Sequence, residues 1–323
     1  MFLDFHCDTL LKTARKNISQ DLWENPSVAI DFSRMKRAGQ TAEFFAIFMD
    51  TKEKMEKMGI DFPSDDAYID GRLQSMAENL SRHSERAALA TNAQTLRENQ
   101  AAGKISIFLT LEEGRAVATL EKLQRFYEKG IRLITLTWNY ENLLGAPNSF
   151  DPVLMQKGLT PYGKEVVCRM EELGMLVDVS HLSDGGFWDV VKYSNKPFVA
   201  SHSNARELSP HPRNLTDDMI RALADKGGVT GLNFCAGFLD RDIYSENSTV
   251  EAMVRHVEYI INAGGEDCMA LGSDFDGIGG RLEIQNPSQV EYLFEALEKR
   301  GMPGRILDKI AYGNMMRVLR DTL

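Results

Sequence analysis

Short apolar runs alternate with longer amphipathic stretches along the whole chain. Eight runs predict strands: Phe2–Asp8, Ala42–Phe48, Lys104–Leu111, Ile131–Thr137, Gly174–Ser180, Lys196–Ser201, Gly227–Asn233 and Cys268–Ser273. Between them lie stretches with helical spacing of apolar positions, among them Ala116–Lys129, Pro161–Leu173, Thr216–Lys226 and Thr249–Ala263. Every interval exceeds the dozen or so residues that a parallel crossover needs, roughly one helix's worth. The long interval between the second and third runs has room for two helices. A tail helix follows over Gly304–Leu323. Eight strands alternating with helices predict an α/β fold, a (β/α)8 TIM barrel, as one domain over residues 1–323. An open doubly wound sheet is the rival. The barrel is preferred because eight units close without leftover edges. No G-x-G-x-x-G follows the first strand, and no G-x-x-x-x-G-K-[ST] occurs.

Composition narrows the partners. The chain has 323 residues, 37 Lys+Arg against 47 Asp+Glu, and a formal charge of −10. That balance argues against nucleic acid, which needs a basic face, and against an anionic membrane surface. No stretch approaches the roughly 18 uncharged apolar residues of a membrane span. The start, MFLDFHCDTLL, has no basic region of the kind that opens a signal peptide. The four cysteines, Cys7, Cys168, Cys235 and Cys268, lie far apart without a C-x-x-C. Free thiols in a reducing cytoplasm are therefore expected.

In a barrel the chemistry sits at the C-terminal ends of the strands. His6 and Asp8 end the first strand, and Glu112 and Glu113 follow the third. His181 follows the fifth in DVSH, His202 the sixth in ASHS, and Asp274 the eighth in GSDFDG. Alternation puts His6 and Asp8 on one face, in an inward set of Phe2, Asp4, His6 and Asp8, with Cys7 on the other. The same parity on the third strand, Ser106, Phe108, Thr110 and Glu112, selects Glu112. Glu113 is expected to be a solvated loop acid or a charge at a helix N-terminus. Asp276 is expected in an Asx-type turn, which leaves Asp274 as the better ligand or general base. His83 and His256 lie in charged helical stretches and are read as solvated. His211, in SPHPRN, is a loop histidine.

Three histidines and three carboxylates without a thiolate form a mixed N/O set that suits Zn²⁺, with Mn²⁺ or Co²⁺ as alternatives. Six ligands are too many for one catalytic zinc. They suit two metals about 3.5–4 Å apart sharing a carboxylate and a water, a pair that favours hydrolysis of an amide or ester.

These residues resemble the membrane dipeptidase (renal dipeptidase) family, a binuclear zinc branch of the amidohydrolase superfamily. The resemblance runs through DFHCDTL, LTLEEG, IRLITLTWN, GKEVVCRMEELGMLVDVSHLSD, PFVASHSNAR, SPHPRNLTDD and GSDFDG, nearly the whole chain. It implies that His6 and Asp8 hold a first zinc, that Glu112 bridges, and that His181 and His202 hold a second. It implies that Asp274 touches the first metal and serves as general acid/base. Arg213, in HPRN, matches the family arginine that binds the substrate's C-terminal carboxylate. The implied activity is hydrolysis of dipeptides with a free C-terminus, including D-residues at that position. The resemblance also implies a homodimer.

One position departs from the pattern. Animal members have a histidine after LTLT, and here that residue is Trp138, followed by Asn139. An indole N–H donates but cannot take a proton, so Trp138 and Asn139 become the candidate donors to substrate. Two alternatives stay open: another amidohydrolase acting on a lactone, cyclic amide or phosphoester, and a non-catalytic peptide-binding barrel. Against the first, H-x-D replaces the usual H-x-H, and the fourth strand ends without a lysine.

Overall fold

The computed structural model describes residues 1–323. Eight parallel strands follow one another around the sheet: β1 (Phe2–Cys7), β2 (Gln40–Phe48), β3 (Ile105–Glu112), β4 (Ile131–Thr135), β5 (Leu176–Asp178), β6 (Val199–Ala200), β7 (Val229–Leu232) and β8 (Met269–Leu271). The ring closes just past β8. Asp274 N–H donates to His6 O at 3.1 Å and Asp8 N–H to Phe275 O at 2.8 Å. All eight predicted strands are present, and this is the (β/α)8 TIM barrel. No helix is long and apolar enough to cross a membrane.

The strands sort their side chains between two cores. One cluster takes Leu3 and Phe5, Phe44, Phe108, Leu133, Leu176, Val199, Val229 and Ala270, a contribution from every strand, so it fills the barrel interior. Met315, Met316, Val318 and Leu319 of the helix Asn314–Thr322 join this cluster and plug the N-terminal end. Residues of opposite parity, such as Ile107, Leu109 and Leu111, pack outward under the helices. Covering those apolar faces is the main stabilising term, at about 25 cal/mol per Å².

The helices begin where the sequence offers caps. Thr160 accepts from Gly163 N–H ahead of Pro161–Leu173, Thr216 from Met219 N–H ahead of Asp217–Asp225, and Thr249 from Ala252 N–H ahead of Val250–Gly264. Each threonine satisfies a donor that the first helical turn leaves free.

Two expectations need correction, and the tail helix gains a detail. The interval between β2 and β3 holds three helices, Lys52–Lys57, Asp65–Arg82 and Ala93–Ala101. It also holds a short strand, Ala87–Leu89, that pairs with β3. The tail helix runs unbroken over Gly304–Asp308, a wide π turn at Lys309–Gly313, and Asn314–Thr322, so its period changes midway. The inward set of β1 also differs, since Phe2 packs outward while Leu3 and Phe5 point in. The cause is an offset in pairing: Asp4 aligns with Glu43 but Cys7 with Phe45. Phe5 and His6 thus stand opposite Phe44 alone, and this bulge shifts the alternation one residue before the site.

Candidate metal centre

The strand ends converge on Glu112. Its Oε2 lies 3.3 Å from His6 Nε2, and its Oε1 lies 3.1 Å from His181 Nε2 and 3.6 Å from His202 Nε2. One carboxylate therefore faces two nitrogen-lined pockets with one oxygen each. Asp8 Oδ2 and Asp274 Oδ1 both stand 3.8 Å from His6 Nε2 on the Oε2 side. Two ligand groups fall within 4.8 Å: His6, Glu112 and His202, and His6, Asp8 and Asp274. All six predicted ligands are thus brought together, and all are buried.

Unsatisfied atoms mark the same spot. Both nitrogens of His6, Asp8 Oδ1 and Glu112 Oε2 are buried with no hydrogen-bond partner. Buried polar atoms normally find partners, and orphans grouped around one point are the donor set that a cation would satisfy. Nitrogen and oxygen donors without sulfur fit a divalent ion of the zinc class.

Charge follows the same geometry in the metal-free chain. Burial pushes Asp274 up to about 7, with Asp8 and Glu112 adding to the effect, and burial with Glu112 pushes Asp8 up to about 6. Burial also acts on Glu112, but His6 and His181 outweigh it and hold that carboxyl below the usual range. His181 is pushed down to about 3 by burial and the Arg213 charge, and His202 is driven down for the same reasons with His6 contributing. Both shifts favour the neutral imidazole, the form that ligates metal.

Each histidine of the second pocket is held from behind. His181 Nδ1 lies 3.0 Å from Asn139 Oδ1. His202 Nδ1 lies 2.7 Å from Ser201 Oγ, which donates in turn to Asp178 Oδ2 at 2.6 Å. Asp178 also accepts from Thr135 Oγ1 and from the backbone N–H of Ser180 and Ser201. Asn233 Nδ2 donates to Asp274 Oδ2 at 2.9 Å, which leaves Oδ1 toward His6. Such contacts fix ring orientation and tautomer. Asp178, Ser201 and Asn233 were not singled out from sequence. The available signals were a charged residue inside the apolar run LVDV and polar residues at the ends of β6 and β7.

The backbone is strained here. His181, Asp274, Asp276 and Glu113 have φ of 67°, 65°, 70° and 104°, and they are the only non-glycine residues with positive φ. Gly277 gives room: a Cβ there would lie 2.1 Å from Asp8 Oδ2 and 2.5 Å from Asp274 Oδ1.

Other expectations resolve as follows. Glu113 caps the turn Gly114–Ala116 as expected of an N-terminal charge. It is buried rather than solvated, accepting from Arg115 N–H and Asn142 Nδ2. Asp276 lies in a turn, but its side chain makes no Asx contact there; it accepts from Thr9 Oγ1, Lys12 Nζ, Ala29 N–H and Ile30 N–H, tying the first loop to the last. His83 is mostly buried and pairs with Asp21, and His256 is fully buried between Ala205 N–H and Leu239 O. His211 Nδ1 accepts from Arg213 N–H.

Trp138 lines a cleft of about 300 Å³ with Asp8, Glu112, His181 and Asp274. Its ring meets Phe48 edge-on at 4.8 Å. Asn139 does not line this cleft, and its amide oxygen is taken by His181. Arg213 is 5% exposed and lies over Phe238, donating to Ser203 Oγ and His202 O. Its Nε has no partner and it makes no ion pair.

The comparisons agree with this geometry. The sequence profile of the membrane dipeptidase family, peptidase family M19, matches residues 1–323. A solved structure of dipeptidase AC, a metallopeptidase of family M19, superposes with a TM-score of 0.88 at 27% identity over 99% of this chain and 98% of its own. A metallopeptidase from Rhodobacter sphaeroides, bound to a phosphinate mimic of the dipeptide L-Ala-D-Ala, superposes with a TM-score of 0.88 at 28% identity over 100% and 99%. An uncharacterised dipeptidase of Schizosaccharomyces pombe is 34% identical over 68% of this chain, a match spanning 54% of that longer protein. The chain belongs to the membrane dipeptidase family of metallopeptidases, M19.

Proposed function

We propose that this chain is a two-zinc dipeptidase that hydrolyses dipeptides with a free C-terminal carboxylate, D-residues at that position included, and that it works in the cytoplasm. The observation that carries this reading is the split of Glu112, one oxygen toward His6 and the other toward His181 and His202. His6, Asp8 and Asp274 would hold one ion and His181 and His202 the other, with Glu112 offering an oxygen to each. Ions held there acidify a water and polarise a carbonyl.

The protein's own groups do the rest. Asp274 is the general acid/base: Asn233 Nδ2 occupies one of its oxygens and leaves the other toward the site. It takes a proton from the attacking water and returns it to the leaving amine. Arg213, with no carboxylate of its own, receives the terminal carboxylate of the peptide. Trp138 closes the cleft wall and offers its indole N–H to charge developing on the carbonyl oxygen. The bound L-Ala-D-Ala mimic in the Rhodobacter relative supports a small peptide substrate. The four free cysteines support a reducing compartment.

Metal analysis combined with a dipeptide panel containing L,L and L,D pairs, run beside lactones and phosphoesters, tests this. Two zinc ions per chain and dipeptide turnover are expected. Full turnover by metal-free protein, or turnover of lactones alone, overturns it.

A further inference from the structure

A second chamber lies beside the metal cleft, and Arg15 is part of both walls. The cleft counts Arg15 with Leu11, Asp50 and Met58 among its lining residues. The neighbouring cavity, of about 320 Å³, is lined by Arg15 together with Tyr68 and Arg72. Tyr68 and Arg72 stand four residues apart on the helix Asp65–Arg82, so both present the same face. The Arg72 guanidinium lies 5.7 Å from the Tyr68 ring centre.

These side chains carry donors with nothing to donate to. Arg15 Nε, Arg72 Nε and Nη1, and Tyr68 Oη are buried and without a partner, and Tyr68 as a whole is 4% exposed. Neither arginine makes an ion pair, although most other arginines of the chain sit against a carboxylate or a carbonyl. Around the cavity stand three cations, Arg15, Lys16 and Arg72, against one exposed carboxylate, Asp61. Burial depresses the Arg72 guanidinium, as expected of a desolvated cation lacking a counter-ion. An unpaired buried charge is costly, and a carboxylate that accepts several of these N–H and O–H groups would relieve the cost.

We propose that Arg15, Tyr68 and Arg72 form a subsite for the side-chain carboxylate of an acidic residue at the N-terminal position of the dipeptide. The position follows from the barrel. Arg213 stands on the β6–β7 side, bonded to His202 O and Ser203. Arg15 and its backbone partner Ile60 stand on the β1–β2 side. A dipeptide whose C-terminal carboxylate meets Arg213 and whose carbonyl lies by Glu112 points its N-terminal residue toward Arg15. This assignment rests on the dipeptidase reading given above.

The test compares Glu-Ala, Gln-Ala and Ala-Ala with the zinc-loaded protein. Glu-Ala is expected to exceed its isostere Gln-Ala in kcat/KM by about ten-fold or more. In Arg72→Gln that ratio falls to near one, and in Tyr68→Phe, which removes a single oxygen, it falls part of the way. The ratio is taken within each variant, so a general loss of folded protein cancels. Equal rates for Glu-Ala and Gln-Ala in the wild type, or a ratio that Arg72→Gln leaves intact, overturns the proposal. A parallel arm measures the shift in Tm caused by glutarate. A shift abolished by Arg72→Gln supports a carboxylate site even if no dipeptide is cleaved, which would instead count against the dipeptidase reading. A glutarate shift alongside normal dipeptide turnover with no Glu-Ala preference makes the site one for a free anion and overturns its assignment to substrate.

Discussion

His181 turns its Nδ1 to the amide oxygen of Asn139, 3.0 Å away, and its Nε2 to Glu112. An amide oxygen only accepts, so the Nδ1 carries the proton and the Nε2 lone pair is left for a cation. Asn139 is thus a positioning residue for a metal-facing ring. Its replacement should be felt first in metal affinity. Asn139→Ala is expected to weaken metal retention by about 10–100-fold, while Asn139→Asp, which keeps the acceptor, preserves it. Competition with a chelator of known affinity measures both. Equal retention by Asn139→Ala and the wild type would remove this role.

Glu112 turns one oxygen to His6 and the other to His181 and His202. Glu112→Gln keeps the shape but replaces one acceptor oxygen by an NH2 and removes the charge. Metal content is expected to fall below two per chain, and kcat/KM for dipeptides by about a thousand-fold or more. Circular dichroism should be unchanged, because the residue contributes to neither apolar core. Normal turnover by Glu112→Gln would refute the bridging assignment.

Gly277 tests the close packing of two carboxylates. An added methyl would overlap Asp8 Oδ2 and Asp274 Oδ1, at 2.1 and 2.5 Å. Its φ is not positive, so alanine brings no strain from backbone conformation. Gly277→Ala is therefore expected to displace the two acids without unfolding the barrel. Turnover should drop at least a hundred-fold, with a Tm change of only a few degrees. A Gly277→Ala protein with wild-type kcat would show that the acids tolerate displacement.

Much of this site could be read from the sequence because strands place residues by period and helices start at caps. Parity selected Glu112 over Glu113 on β3, and Glu112 does face His6, His181 and His202; there pairing with β2 runs unbroken from Ala42 and Ser106 to Phe48 and Glu112. It failed on β1, where the offset between Asp4 and Cys7 shifts the alternation and no residue type announces it. The supporting groups were harder to see. Asp178, Ser201 and Asn233 act across strands, and a contact between neighbours in the sheet leaves no periodicity in either strand. His256 shows the limit for helices. Its stretch is charged on average, yet the face it occupies, with Val257, Met253 and Ile260, is the buried one.

That burial makes His256 a stability element. Its Nδ1 accepts from Ala205 N–H at 3.2 Å, and its Nε2 meets Leu239 O at 3.1 Å. Burial pushes its pKa down from 6.5 to about 4, against a smaller upward pull from the Leu239 carbonyl. In the folded protein it stays neutral down to about pH 4, while the unfolded chain takes up the proton near 6.5. Between those values the unfolded state binds more protons, so stability rises with pH and is lost as pH falls from about 6.5 to about 4. The loss amounts to roughly 3 kcal/mol from this group and levels off below the window. His256→Gln, which keeps a donor and an acceptor but cannot titrate, is expected to be less stable at pH 7.5 and to lose less on acidification. Urea unfolding at pH 7.5, 6.5, 5.5 and 4.5, in chelator so that the metal-facing histidines contribute alike to both proteins, measures the difference. Parallel pH profiles for wild type and His256→Gln would show that His256 is protonated equally in the folded and unfolded chains, and would contradict its burial as a neutral ring.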